Sequence, residues 1–393
     1  MSFLRRFSLA ILAVALTGCV TVEQRVITLT GDMLVDGPNE IAHGAPQDRV
    51  LWQYRTAVAA LRRGNFSLAK QYLDDALLTV GGISTDKSAR LARSYFHPES
   101  TKQFIGEPYE RAMAYYYRGI LYWMDGEPDN ARACFRSAAI QDADAEKHEY
   151  SADYALFDYL DGLATFKLGD DGSDAFQRAE KESRLSKLPP FTKGANVLVL
   201  LEFGHGPIKY AAGNYGEQLR FRENFSPVRT AVLRANGQSM SAGAVDDLQF
   251  QATSRGGRLM DYVLGHKAVF KTTTSVAGDV AIVTGGALLA THGHNSAGDE
   301  VGAGLLAAGV VTKLFSAAAT PAADTRSWDN LPRYLSFASL TLPAGTNVVT
   351  IEFQDSAGRL LSNLTKTITI NVPADGKDKV IFVSDQSSTP QTL

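Results

Sequence analysis

Of the seven histidines, only His292-Gly293-His294 are close enough to share a metal ion. Asp299 and Glu300 are near enough to add an oxygen, but the spacing does not spell out a closed three- or four-ligand set, so no metal is assigned. His43, His97, His148, His205 and His266 stand alone. Gly204-His205-Gly206 follows an apolar run but has no serine to act as a nucleophile elbow. Arg255-Gly256-Gly257-Arg258 lacks the further glycine and the Lys-Ser/Thr pair that cradle a phosphate, and it reads as a turn. Asp142, Asp144 and Glu146 are explained by a solvated helix face or a cap. Two cysteines, Cys19 and Cys134, are too few for a disulfide framework or a structural zinc site. Cys134 has an apolar neighbour on each side and reads as an inert buried thiol. No catalytic motif is found and no cofactor is implied.

The chain has 393 residues, 45% hydrophobic and 21% charged, with a formal charge of −3. This is a globular composition with no electrostatic case for nucleic acid. Met1–Arg6 carries two arginines and no acid, and an apolar run from Phe7 to Leu16 leads into Leu16-Thr17-Gly18-Cys19. A run this short suits a secretory signal, not a spanning helix. The Leu-Thr-Gly-Cys ending resembles the bacterial lipobox. That resemblance implies cleavage after residue 18, acylation of Cys19, and anchoring in the lipid bilayer by several chains, which hold far better than one. Val20 replaces the aspartate that keeps such lipoproteins at the inner membrane, so the implied location is the periplasmic side of the outer membrane. Residues 19–47, with Asp36-Gly37-Pro38-Asn39, read as a lipidated tether.

The expected fold is α+β: a helical-repeat domain over residues 48–190, then a β-rich, sandwich-like domain over 191–393 with a helical insert at about 256–323. From Val50 to Leu188 apolar residues recur at helical spacing. Ala69 and Ala76 lie in one helix after the break at Gly64-Asn65. Ala131 and Ala138 follow the break at Gly126-Glu127-Pro128, offset by 62 residues. Gly162, Phe166 and Gly169 mark a third, weaker copy. These units resemble tetratricopeptide repeats, which stack into a concave surface that binds protein segments. Tyr115, Tyr122 and Trp123 are the aromatic candidates for lining such a groove, although most aromatics at this spacing belong to a core.

Pro189-Pro190 ends the helices. Ala195–Phe203 is a fully buried strand by composition, while Val349, Ile351 and Phe353, then Leu364, Ile368 and Ile370, alternate with polar residues. That alternation predicts an antiparallel sheet wet on one face. Between these strands, two uncharged 12-residue runs, Val280–Thr291 and Val301–Thr312, predict a helical hairpin buried on the sheet, the alternative being a membrane-dipping hairpin or an oligomer contact. Asp324 and Arg326 are placed to pair while Trp328 plugs a pocket between insert and sheet.

The lipobox, the degenerate repeats, the VLVLLEFGHGP strand, the ADTRSW…LP string and the LPAGT hairpin together resemble a family of bacterial tetratricopeptide-type outer-membrane lipoproteins. The resemblance implies a role in envelope assembly without an enzyme activity. It also implies an envelope protein partner, such as another small lipoprotein. The functional expectation is therefore a periplasmic adaptor. The alternative is an envelope hydrolase or ligand-binding protein with a site between the two domains.

Overall fold

The computed structural model describes residues 28–81, 100, 102–143, 153–185, 187–254 and 322–393. The expected signal segment, Cys19, the two runs between 280 and 312, Arg255–Arg258, Asp144, Glu146, Asp299 and Glu300 lie outside the described residues. So do His97, His148, His266, His292 and His294.

The chain is mixed α and β, helices first. Helix α1 (Met33–His43) precedes three helical hairpins: α2 (Arg49–Arg62) with α3 (Phe66–Gly81), α4 (Pro108–Met124) with α5 (Pro128–Asp142), and α6 (Ala155–Lys167) with α7 (Ser173–Glu182). All three turn in the same way. Gly64, Gly126 and Gly169 sit at φ of 72°, 80° and 90°. The next amide reaches back from Asn65 to Ala60, from Glu127 to Tyr122 and from Asp170 to Thr165. Only glycine takes that φ without strain, so it closes the helix in a Schellman motif. Seven residues before each turn glycine stands a small residue: Ala57, Gly119 or Gly162. A Cβ at Gly119 would come within 2.7 Å of the Phe135 ring, and one at Gly162 within 3.1 Å of the Gly172 carbonyl. In the second and third hairpins the helices approach closely because those side chains are absent.

Helix α1 corrects the expected tether. Residues 33–43 are helical, Asp32 accepts from the Leu34 amide at the N-terminus, and Leu34 and Ile41 pack on the core. Gly37 lies against Thr56 so tightly that a Cβ there would overlap its hydroxyl. The turn-forming string Asp36-Gly37-Pro38-Asn39 thus sits inside a helix. The buried Asp36 carboxylate accepts from the Thr30 and Gly31 amides and the Thr30 hydroxyl, fixing the chain ahead of it. These bonds, the Thr30 amide first, hold its carboxyl below the usual range.

The strands are β1 (Val197–Phe203), β2 (His205–Ala212), β3 (Gln218–Asn224), β4 (Thr230–Ala235), β5 (Gln238–Gly243), β6 (Asp246–Asp247), β7 (Tyr334–Leu340), β8 (Gly345–Gln354), β9 (Lys366–Val372) and β10 (Lys379–Ser384). A short helix α8 (Leu248–Thr253) follows β6. One sheet has the order β10-β1-β7-β6, another β5-β4-β8-β9, and β2 pairs with β3 alone. The second sheet is antiparallel and half wet as expected: Val349, Ile351, Phe353 and Ile370 point inward while Val348 and Thr369 point out. Leu364 lies outside the strands, in a single 3-10 turn.

The first sheet is mixed, since β1 runs parallel to β10 and antiparallel to β7. It is covered on both faces. Leu198 and Leu200, with Leu335, Phe337, Val380 and Phe382, join the core of the helical layer. Val197, Val199, Leu201 and Phe203, with Ile381 and Val383, join the core between the sheets. Period two sends alternate side chains to opposite faces, so a strand buried on both is apolar almost throughout, and Glu202 is the one charge of β1. Each such Leu or Phe contributes about 1.5–3 kcal/mol by leaving water. Three layers result: helices, mixed sheet, antiparallel sheet. Helices α2 and α4 contact β10 and α6 contacts β7, so the first helix of each hairpin faces the sheet and the second faces outward.

Candidate functional site

The segment 322–333 runs as a strap across the junction of the layers. Its Ala323 amide donates to the Gly216 carbonyl in the β2–β3 turn. Asp324 accepts from the Arg326 amide and from the Arg326 guanidinium at 2.6–3.1 Å, an i,i+2 clamp that a short polar side chain makes locally. The remaining Arg326 donors reach Asp48 (2.7 Å), the Lys102 carbonyl and the Gln47 carbonyl. Arg326 thereby ties the strap to the start of α2 and to the chain leading into α4.

Two residues later Trp328 is buried. Its ring stacks on Tyr54 of α2 at 4.4 Å and lies 5.9 Å from the Tyr117 ring of α4. It therefore fills a gap in the helical layer above the mixed sheet. Its amide donates to Glu110 Oε1 (2.8 Å), and Glu110 Oε2 accepts from Lys209 Nζ of β2 (2.6 Å) and from the Glu107 amide (2.7 Å). Lys209 also donates to the Arg326 carbonyl (3.0 Å). Glu110 is fully buried, and three hydrogen bonds, from the strap, from β2 and from the residue ahead of α4, make that burial tolerable. Neither Glu110 nor Lys209 stands out in the sequence.

In front of this anchor lies a cleft of about 440 Å³. Asp48, Leu51, Trp52 and Arg55 form one wall along a single face of α2. Gly206–Lys209 and Asn224 form the other, and Thr325–Ser327 with Asp329 close it. The cleft carries both signs of charge, already matched: Arg326 to Asp48, Lys209 to Glu110, and Arg55 to Asp329 at 2.9 Å. The Arg55 guanidinium lies over the Trp52 ring, 5.0 Å from its centroid. Among the described residues Ser327 Oγ has no hydrogen-bond partner, and no base there is positioned to activate it as a nucleophile.

A second buried network joins the layers near β1. Arg62 Nε donates to Glu202 Oε1 (2.7 Å), Tyr117 Oη donates to Glu202 Oε2 (2.5 Å), and Arg62 Nη1 donates to Gln386 (2.9 Å). Burial first, then the Glu202 charge, pushes the Tyr117 phenol well above its ordinary value, so it stays a donor. The one charge in the VLVLLEF run was a visible signal of this contact. A carboxylate in a strand buried on both faces needs a cation from the layer above.

Among the aromatic candidates, Trp123 is 2% exposed and donates through Nε1 to Asp378 in the β half (3.2 Å). It faces the interior and cannot line a binding groove, which corrects the expectation. The inner face of the hairpins, where such a groove would lie, is covered by the chain's own sheet. Tyr115 and Tyr122 are partly exposed on α4. Tyr122 stacks under the Arg118 guanidinium (3.6 Å), and Arg118 pairs with Asp74 of α3 (2.6 Å). Cys134 is largely buried, and that burial raises its thiol to about 11, so it is a poor nucleophile. His205 opens β2 with its side chain exposed and is not part of the cleft wall.

Among the described residues no group of three or more His, Cys, Asp or Glu is placed to hold a metal ion. None of the described helices is long and apolar enough to cross a membrane. The chain matches no known family model, no curated protein and no solved structure.

Proposed function

We propose that this protein is a lipid-anchored adaptor on the periplasmic side of the bacterial outer membrane, whose tetratricopeptide-like hairpins bind a protein partner of the cell envelope. The lipobox-like Leu16–Cys19 supports the anchor. The common geometry of the three hairpin turns supports the repeat reading. The partner-binding surface differs from the one that isolated repeats use, because β1, β7 and β10 fill the inner face. Recognition then belongs to the outward helices α3 and α5. The observation that carries this reading is a pair of side chains. Leu78 and Ile140 are 77% and 68% exposed, and they stand at the same 62-residue offset as Ala69 and Ala131. Single exposed apolar residues are common on any surface. Two at equivalent positions of stacked hairpins make a repeated contact point, which is how repeat scaffolds present a binding face.

A photo-crosslinking residue at Leu78 or Ile140 in intact envelopes tests this. Both positions should capture the same protein, and a control at Val348, exposed on the far sheet, should not. Capture of nothing from either position, or the same products at Val348, refutes the outer face as the binding surface. Independently, Cys19→Ser should release the protein into the soluble periplasm. Unchanged fractionation with the outer membrane would refute the lipid anchor.

A further inference from the structure

We propose that the cleft between α2, β2 and the strap binds a carboxylate carried on a flat apolar body, which takes the Arg55 fork in exchange for Asp329 and lies against Trp52. Its volume of about 440 Å³ is that of a small-molecule site. The geometry for a carboxylate already exists at its mouth. Arg55 Nη2 donates to Asp329 Oδ2 (3.0 Å), and Nε, which makes no hydrogen bond of its own, lies 2.9 Å from Oδ1 in the same ion pair, so one edge of the guanidinium already faces both oxygens of a carboxylate.

The two partners differ in how firmly they are held. The Arg55 side chain is 16% exposed, fixed by the Ser327 carbonyl (2.7 Å) and by the Trp52 ring. Asp329 is 61% exposed. An ion pair with one partner in water has little net stability, so a competing carboxylate displaces Asp329 at small cost. Among the described residues, Arg55 is also the only one of the cleft's three cations placed to exchange. Arg326 is held by Asp48 and Asp324, and Lys209 by the buried Glu110. Trp52, with Leu51 and Pro207, supplies apolar wall beside the fork for the rest of the ligand. Such a carboxylate can belong to a free organic acid or to the end of a polypeptide, and the chemistry is shared.

The test uses the mature Cys19→Ser protein with its indole nitrogens labelled for NMR, the Trp52 resonance being assigned with Trp52→Phe. Benzoate and its uncharged isostere benzamide are the probes. Benzoate should shift the Trp52 resonance with a Kd on the order of 10 mM, as expected for nine heavy atoms. Benzamide should bind at least about tenfold more weakly, since it lacks the charge that makes such hydrogen bonds strong. Asp329→Asn should tighten benzoate binding severalfold by removing the competitor, and Arg55→Gln should abolish it. A purely structural Arg55–Asp329 pair predicts no gain from Asp329→Asn. If Arg55→Gln melts early, Arg55→Lys keeps the charge without the fork and should still weaken binding. Equal binding of benzoate and benzamide, no shift with benzoate, or unchanged or weaker binding in Asp329→Asn overturns the proposal. N-acetylphenylalanine then assigns the source: tighter binding than benzoate points to a polypeptide end, weaker binding to a free acid.

Discussion

Asp246 should make the protein more stable in mild acid than at neutral pH. Its carboxylate is buried on β6 and accepts from the amides of Ala155 (3.1 Å) and Leu156 (2.9 Å), the first two residues of α6. Tyr154, which precedes them, has no capping side chain of its own, so β6 caps the helix from across the chain. Burial raises the Asp246 carboxyl from 3.8 to about 7. The two amide bonds oppose that rise, and the charges of Asp153 and Asp158 add to it. A carboxylate whose folded value is raised binds its proton more tightly in the native state than in the unfolded chain. Between about pH 4 and 7 the native state therefore holds the extra proton, and stability falls as pH rises through that window.

A shift of roughly three units corresponds to about 4 kcal/mol at full ionisation. Asp385 acts in the same direction, since burial first and the Glu202 charge carry it to about 6. Urea unfolding at intervals from pH 5 to 8 should therefore show wild-type stability declining across the range. Asp246→Asn keeps an acceptor for one of the two amides but cannot titrate. Its decline should be shallower by about 1.4 kcal/mol per pH unit over the steep region. Parallel profiles for wild type and Asp246→Asn, or wild-type stability that rises from pH 5 to 8, would refute the argument.

Trp328→Ala should lose about 3–5 kcal/mol, as truncation of a large buried aromatic does, and a melting curve unchanged by it would move Trp328 out of the core. Glu202→Ala should cost about 3–5 kcal/mol because Arg62 is left charged and buried, whereas the double change Arg62→Met with Glu202→Leu should cost much less; a double-mutant cycle in denaturant reads the difference. Gly119→Ala should destabilise α4–α5 because its methyl meets the Phe135 ring and Cys134. If Gly119→Ala instead unfolds at the wild-type urea midpoint, the close approach of those two helices is not what requires the glycine.

The parts of the fold that were legible in the sequence rest on local rules. The turn glycines at 64, 126 and 169 mark hairpins because only their backbone requirement puts glycine there. The alternation around Val349–Phe353 shows which side chains of β8 face the core. Helix α1 was hidden because a proline and a glycine stand in its middle, and the tertiary contact with Thr56, not propensity, holds it. The cleft was hidden for a different reason. Arg55, Lys209, Glu110 and Arg326 come from four separate stretches, and no spacing rule links residues that only the strap brings together. Asp324, Arg326 and Trp328 were visible as a string, but Tyr54 and Glu110, which give that string its meaning, were not.

The same distinction explains why the aromatics of α4 divide as they do. Tyr116 and Tyr117 are fully buried and Trp123 nearly so, whereas Tyr115 and Tyr122, on the side away from the sheet, remain partly in water. Helical periodicity separates these faces, but it cannot say which face meets a partner. The decision comes from β1. A strand with leucines on one face and valine, leucine and phenylalanine on the other must be covered twice, and in this chain its second cover is the inner face of the hairpins. Once that face is committed, Arg62 and Tyr117 are drawn to Glu202, Trp123 to Asp378, and the strap to Glu110. The hairpins and the sandwich then cannot separate without exposing a continuous core and stranding buried charges. Among the described residues, the inner face of the hairpins is therefore closed, whereas the outward helices and the cleft at the seam are open.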